Sequence, residues 1–280
     1  MSVFENRTLL IVTKHGKESV LMPLLQDALG VKCVVTNTFD TDAFGTFSGE
    51  IERKVDALST VRNKGRAAME LYNIDLAVAS EGSFGPHPAA FLATADDELV
   101  LLIDLKNDLE IIGRKLSLET NFAAKEFSDV GLFLQFLKQV QFPSHKIILK
   151  SSAVNAAEIH KDIETEKDAV RIFDLLVDKY GTVFVETDMR AMNNPTRMKV
   201  IKEATDQLIQ KINSLCPECN QPGFSVSASV AGLLCSICNM PTKSILYQEL
   251  SCSKCSFTTK NYYPRVIQVE DPMYCDYCNP

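Results

Sequence analysis

No apolar run in this chain is long enough to cross a bilayer: the longest, such as Leu99–Ile103, fall far short of the roughly 20 residues a spanning helix needs. The opening MSVFENRTLL lacks a basic segment followed by a signal-type apolar core, which predicts a cytoplasmic protein with no membrane association. Internal repeats, low-complexity tracts and a long linker are also missing, so a fibrous or disordered chain is excluded. Positive charge is in deficit. The 29 Lys and Arg against 36 Asp and Glu leave a net charge of -7, which repels a phosphate backbone and argues against generic nucleic-acid binding. Cysteine is nearly absent from most of the chain: of nine, only Cys33 precedes residue 215. Cys33 sits in an apolar strand with no His and carboxylate to place beside it, so it reads as core rather than nucleophile.

What is present is an ordinary folded composition, 46% hydrophobic and 23% charged, over 280 residues. At about 150 residues per domain that length predicts two domains. From residue 1 to 213, β-branched apolar runs alternate with stretches of helical period, the pattern of an α/β fold with a mixed sheet and covering helices. Strands are predicted over 8–13, 32–36, 75–80, 98–104, 145–150 and 182–187, with a hairpin between Leu99 and Leu118. Val55–Tyr72 reads as an amphipathic helix with Arg62, Lys64 and Arg66 off its apolar side.

Residues 214–280 form the second, smaller domain. Its four Cys-x-x-Cys knuckles, Cys216/Cys219, Cys235/Cys238, Cys252/Cys255 and Cys275/Cys278, supply eight thiolates, enough for two tetrahedral structural Zn2+ ions in a zinc-ribbon domain. Disulfides do not fit a cytosolic chain, and a redox Cys-x-x-Cys normally occurs once, near a βαβ unit. Fifteen residues separate Cys219 from Cys235 and nineteen separate Cys255 from Cys275, so adjacent pairing is expected; spacing alone also permits an interleaved brace in which the first knuckle shares a metal with the third. The tail has little core of its own, so its folding is expected to depend on metal. Counting thiolates and two Zn2+, its charge is about -5, which opposes phosphate contacts and favours a structural or protein-contacting role. Tyr247, Tyr262, Tyr263, Tyr274 and Tyr277 read either as part of such an interface or as filling of a small core.

Four polar segments of the first domain carry candidate chemistry. Thr13-Lys14-His15-Gly16-Lys17 follows the first strand and opens a helix, where amides and Lys17 can meet an anion; the spacing is not that of a P-loop, and a plain solvated turn is the alternative. The segment Phe39–Arg53, with Glu50 and Glu52, gathers carboxylates ahead of Arg62, Asn63 and Lys64, a combination suited to a magnesium phosphate. Ser80-Glu81-Gly82-Ser83, continuing to His87, reads as a rigid polar turn at a strand's carboxyl end. There Glu81 can hold a metal or orient water, Ser80 and Ser83 can contact a ligand, and His87 can contact a ligand or cap the turn. Asp188, Arg190, Asn193 and Arg197 are a dense polar set before the last helix, to be weighed against ion pairing at a helix start.

In their order along residues 7–213, these segments resemble the inosine/xanthosine triphosphate pyrophosphatase superfamily. Thr13–Lys17 is similar to its Thr/Ser-x-Asn-x-x-Lys phosphate turn, with His15 where Asn is usual and a spacing one residue shorter. Glu50-Ile51-Glu52 and Val61-Arg62-Asn63-Lys64-Gly65-Arg66-Ala67 resemble the acidic segment and the A-R-N-[RK]-x-x-x-A helix of one branch, and Leu76–Gly82 resembles its strand ending in Ile-Glu-Gly-Gly. Arg190–Arg197 matches the late basic turn loosely, and the zinc tail is foreign to that superfamily. Ser-Glu-Gly-Ser-Phe-Gly-Pro-His-Pro and the final Cys-Asp-Tyr-Cys-Asn-Pro also resemble a bacterial family of unknown function.

The first resemblance implies Mg2+-dependent cleavage of a nucleoside triphosphate, deaminated purines among the candidates, to monophosphate and pyrophosphate. Glu50 or Glu52 with Glu81 would hold Mg2+, while Lys17, Arg62 and Lys64 stabilise phosphate charge and Asn63 positions the phosphates or braces Glu81. His15, Ser80, Ser83, His87, Asp188, Arg190, Asn193 and Arg197 complete the expected nucleotide contacts. The competing expectation is a nonenzymatic nucleotide- or phosphometabolite-binding module whose zinc ribbon contacts a protein partner.

Overall fold

The computed structural model describes residues 3–36 and 56–280, and the chain divides into two compact units, Met1–Leu208 and Ile209–Pro280. In the first unit, β1 (Thr8–Val12), α1 (Glu18–Leu29), β2 (Lys32–Val35), α2 (Ala57–Tyr72) and β3 (Leu76–His87) make two successive βαβ crossovers. Two long antiparallel strands follow, β4 (Ala90–Asp104) and β5 (Leu109–Ser117), giving a mixed sheet of order β2-β1-β3-β4-β5. β1 runs parallel to both β2 and β3. The chain therefore steps to one side of β1 and returns to the other. Right-handed crossovers in opposite directions place α1 and α2 on opposite faces, and the carboxyl ends of β1 and β3 form the switch point where open α/β sheets leave a crevice.

The periodicity of α2 explains its seat. Asp56 caps it by accepting from Ser59 N at 3.0 Å, and Val61, Ala68 and Met69 bury against Leu10, Val12, Ala77, Ala79, Leu99, Leu101 and Ile103. Because strand side chains alternate, Glu98, Val100 and Leu102 point to the other face. There β5 carries Gly113. A Cβ at that position would run into the Ala204 carbonyl and lie 2.6 Å from Leu208 N, so the glycine lets the helix α5 (Pro195–Asn213) lie directly on the strand.

A second, antiparallel sheet of order β6-β9-β7-β8 is built from β6 (Ala124–Phe127), β7 (Ile147–Lys150), β8 (Ile159–His160) and β9 (Val183–Thr187). Helices α3 (Val130–Gln139) and α4 (Glu166–Tyr180) cover it with Phe133 stacked on Phe173 at 4.4 Å. Among the described residues no helix is long and apolar enough to cross a membrane.

One sequence expectation is corrected. Ser80–His87 is not a turn: β3 continues through it, paired with β4 from Leu76↔Asp104 to His87↔Ala90. The parallel pairing to β1 stops at Ala79, and among the described residues no strand pairs with the rest of β3 on that side, which tolerates Pro86. His87 caps the hairpin, its Nδ1 accepting from Ala89 N and Ala90 N at 3.1 Å each.

The second unit is a three-stranded antiparallel meander of β10 (Ser225–Ala231), β11 (Ile245–Ser251) and β12 (Thr258–Tyr262).

Candidate metal centres and a buried ionic site

Each cysteine knuckle folds the same way. The residue after the second cysteine donates its N–H to the carbonyl of the first: Asn220 to Cys216 at 2.9 Å, Asn239 to Cys235 at 3.1 Å, Ser256 to Cys252 at 3.1 Å and Asn279 to Cys275 at 2.9 Å. Asn220, Asn239 and Ser256 take φ near +57 to +59°, a conformation asparagine accepts more readily than most residues. Within a knuckle, amides turn toward sulfur. Those of Cys238 and Ile237 draw the Cys235 thiol down to about 7, favouring the thiolate a metal needs.

Two groups of four sulfurs result, Cys216/Cys219/Cys252/Cys255 and Cys235/Cys238/Cys275/Cys278, with all sulfurs of a group within 4.8 Å of one another. Four thiolates at tetrahedral reach suit Zn2+, so the chain offers sites for two metal ions. The pairing is interleaved, which corrects the adjacent pairing expected from spacing. The reason lies in the meander. One strand separates each knuckle from the next, so successive knuckles fall at alternate ends of the sheet. Ser225 pairs with Ser251, bringing the first knuckle beside the third, whereas Ala231 pairs with Ile245 at the opposite end. A seven-residue strand spans about 23 Å, far too much for adjacent knuckles to share an ion.

At the first centre a small core gathers Cys216, Phe224 and Cys252 with Cys219, Leu250 and Phe257, while Leu233, Cys235 and Cys275 are buried at the second. The tyrosines lie outside it. Tyr262, Tyr263, Tyr274 and Tyr277 are exposed, and Tyr247 is half-buried, 5.2 Å from Tyr262 with Lys260 over its ring.

In the first unit, charged side chains converge around the β1–β3 switch point on both faces of the sheet. On the α2 face, Lys64 donates to the Glu81 carboxylate at 2.5 Å and to the Ser80 carbonyl at 3.2 Å, all three residues being buried. On the opposite face, Glu98 accepts from Arg197 Nε at 2.6 Å and lies 3.7 Å from Lys17 Nζ. Arg197 has no exposed surface; its Nη1 donates to the Met189 carbonyl and its guanidinium lies over the Phe84 ring. Burial pushes the Lys17 ammonium down to about 8. Asp96, two residues before Glu98 and fully buried, is pushed up to about 8 by burial and by the neighbouring Glu98 charge, so it keeps a proton at neutral pH.

The opening turn belongs to this assembly. His15 and Gly16 adopt φ of 66 and 78°, and a Cβ at Gly16 would sit 3.2 Å from Met192, so the Thr13–Lys17 turn packs on the 3-10 turn Ala191–Asn193. Gly82 matters similarly. A Cβ there would overlap the Glu98 carboxylate and lie 2.7 Å from Arg197 Nη2. Gly82→Ala is therefore expected to split a buried ion pair and lower unfolding free energy by about 3 kcal/mol in a urea titration; a loss under about 0.5 kcal/mol would contradict this close packing.

Several expected ligand contacts are otherwise engaged. Arg62 lies 2.8 Å from Glu110 of β5, which also pairs with Arg66, and Asn63 is exposed, so neither supports Glu81. Their helix positions account for this, since only Lys64 falls on the buried side. Asp188 accepts from Arg190 and Asn193, and Arg190 also reaches Asp162 at 2.6 Å. Although burial opposes it, those hydrogen bonds hold Asp188 below the usual carboxylate range. This trio is an internal brace; of the late segment, Arg197 alone joins Glu98. Ser83 is half-buried on β3, while Glu50 and Glu52 lie outside the described residues.

Sequence reading missed Asp96 and Glu98. Their signal was available: two acids at i, i+2 on one face of a strand whose following residues, Leu99–Ile103, are apolar.

A profile of the family described as Domain of unknown function (DUF6671) matches residues 64–280. The chain belongs to the DUF6671 family. The matched region begins at Lys64 and contains Glu81, Asp96, Glu98, Arg197 and all eight knuckle cysteines, while Lys17 precedes it. No curated protein matches the chain.

Proposed function

We propose that this DUF6671 protein is a nucleoside triphosphate pyrophosphohydrolase of the inosine/xanthosine triphosphatase type, with two Zn2+ ions stabilising its C-terminal unit. The observation that carries the reading is the meeting of Lys17, Lys64 and Arg197 with Glu81 and Glu98 around the β1–β3 switch point. Mixed cations and carboxylates at such a position suit a metal-bound polyphosphate, the metal and the cations sharing the charge of the nonbridging oxygens. The left-handed backbone of His15 adds support, because Asn, the usual residue at that place in the family turn, favours the same conformation.

Within this reading, the Thr13–Lys17 turn and Lys17 bind the phosphate chain, and Mg2+ supplies Lewis acidity and an activated water. Glu81 is clamped by Lys64, so its first task is to hold that ammonium on the buried side of α2. This changes the choice of probe. Glu81→Gln strands a buried lysine and is expected to cost about 3 kcal/mol of stability by thermal or urea unfolding, so a loss of activity in that variant confounds folding with chemistry. Lys17→Ala leaves the Glu98–Arg197 pair in place and is the cleaner substitution. Pyrophosphate release by the zinc-loaded protein is expected to require Mg2+ and to fall at least a hundredfold in Lys17→Ala; equal turnover in variant and wild type would remove Lys17 from the site.

A further inference from the structure

We propose that His145 is a positioning residue for Arg197, a neutral imidazole that latches the first turn of α5 and releases it on taking up a proton. The start of α5 sets the geometry. Asn194 precedes the helix and its Oδ1 accepts from Arg197 N at 2.9 Å, while Pro195, the first helical residue, has no N–H to satisfy. The Thr196 N–H is left, and it donates to His145 Nε2 at 3.3 Å; Thr196 Oγ1 lies 2.9 Å from the same nitrogen. The other ring nitrogen, Nδ1, is 3.1 Å from Ser144 Oγ, whose hydroxyl donates to the Gln141 carbonyl at 2.7 Å. One proton arrangement satisfies all of these contacts. A backbone N–H only donates, so Nε2 is bare and accepts, and Nδ1 carries the proton and donates to Ser144 Oγ.

A second proton has no place on this ring. On Nε2 it would face the Thr196 N–H, and the imidazolium would stand against the positive end of α5, so protonation breaks the cap. His145 is 4% exposed, and burial holds its pKa below the usual histidine value. Charges on the neighbouring segments are turned elsewhere: Lys146 to Glu164 at 2.7 Å, Asp188 to Arg190, Arg197 to Glu98 and Lys199 to Glu119 at 2.7 Å, while Lys138 of α3 is exposed. The latch reaches the ionic cluster through the chain itself. Thr196 is the residue before Arg197, and Lys146 N donates to the Asn193 carbonyl at 3.0 Å, tying the His145 segment to the turn that leads into α5. A freed first turn loosens the Arg197 guanidinium from Glu98. The bearing of the latch on catalysis rests on the hydrolase reading above; the latch itself does not. Because the closed latch excludes a proton that the open one binds, acid favours opening, by up to about tenfold for each pH unit below about 6.5.

The test is hydrogen exchange of Thr196 N–H and Arg197 Nε–H by nuclear magnetic resonance, in the zinc-loaded full chain without nucleotide, with the His145 ring followed in the same spectra. Between about pH 7.5 and about pH 5.5, opening is expected to rise about tenfold once the intrinsic pH dependence of exchange is removed. His145→Gln places an amide oxygen that accepts throughout this range, and should keep both protons protected with no acid response. His160→Gln, which removes a histidine paired with Glu158 at 2.9 Å, should respond as wild type does. Wild-type protection indifferent to pH, or an acid response equal in His145→Gln and wild type, would overturn the latch. Failure of the two readings is distinguishable. An acid-opened latch in a chain without nucleotide turnover sustains the latch and rejects the hydrolase, whereas turnover with the same pH profile in His145→Gln and wild type rejects the positioning role alone.

Discussion

Replacing Cys216 and Cys252 together with serine is expected to remove one zinc ion per chain, whereas replacing Cys216 and Cys235 together removes both. The interleaved groups dictate this: Cys216 and Cys252 share one site, while Cys216 and Cys235 belong to different ones. The structural consequence should be as unequal as the stoichiometry. A structural zinc contributes on the order of 10 kcal/mol to a unit that cannot fold around its own core, and the buried apolar residues here are few, Ile212, Phe224 and Leu233 besides the knuckle cysteines Cys216, Cys235, Cys252 and Cys275. Loss of one ion leaves one end of the meander pinned; loss of both unfolds residues 214–280. Metal content by mass spectrometry, read beside amide proton protection, checks both statements. Two ions lost from Cys216→Ser/Cys252→Ser, or one from Cys216→Ser/Cys235→Ser, would restore the adjacent pairing.

Asp96→Asn should make the protein more stable, and increasingly so as pH rises from about 4 to 8. Burial and Glu98 raise the Asp96 pKa from 3.8 to about 8. In that window the folded state therefore binds a proton that the unfolded state does not. The contribution of a group raised in this way is complete below pH 3.8 and is lost as pH climbs toward the folded value, and asparagine carries no such loss. Near pH 8, without added Mg2+ or Mn2+, the variant is expected to gain about 3 kcal/mol, below the ceiling that a shift of this size implies because the site can relax. Near pH 4 the two proteins should coincide. A difference independent of pH would show that Asp96 is ionised normally in the fold.

Much of the fold was legible in residue periodicity. The strands over 8–13, 32–36 and 182–187 and the helix over 55–72 reappear as β1, β2, β9 and α2 within a residue or two, because each carries an unbroken apolar pattern with one period. β3 was read too short. Gly82, Gly85 and Pro86 signal a turn locally, and only the pairing with β4 shows that an edge absorbs them. Knuckle pairing was decided by strand parity rather than by loop length: an odd number of strands between successive knuckles sends them to opposite ends of a meander, a geometric fact that residue spacing does not carry. Asp96 and Glu98 went unnoticed for a related reason, since acids at the start of an apolar run look like its solvated edge until α5 delivers Arg197 from 99 residues away.

The two kinds of centre divide the work of the chain. In the second unit the thiolates serve folding, with four repeated knuckles and a sheet that fixes their pairing. In the first unit the buried charges cost stability: Lys17 is driven toward its neutral form and Asp96 is kept protonated. Perturbed groups of this kind at the mouth of a sheet are the physical ground of the proposed enzymatic site.

The most direct measurement is pyrophosphate release by the zinc-loaded chain across ordinary and deaminated nucleoside triphosphates, with and without Mg2+. Mg2+-dependent turnover is expected, with Lys17→Ala depressed while folded and holding two zinc ions. Folded, zinc-loaded protein that binds a nucleotide without consuming it, or releases no pyrophosphate from any member of the panel, would contradict the hydrolase and leave a nucleotide-binding module in its place.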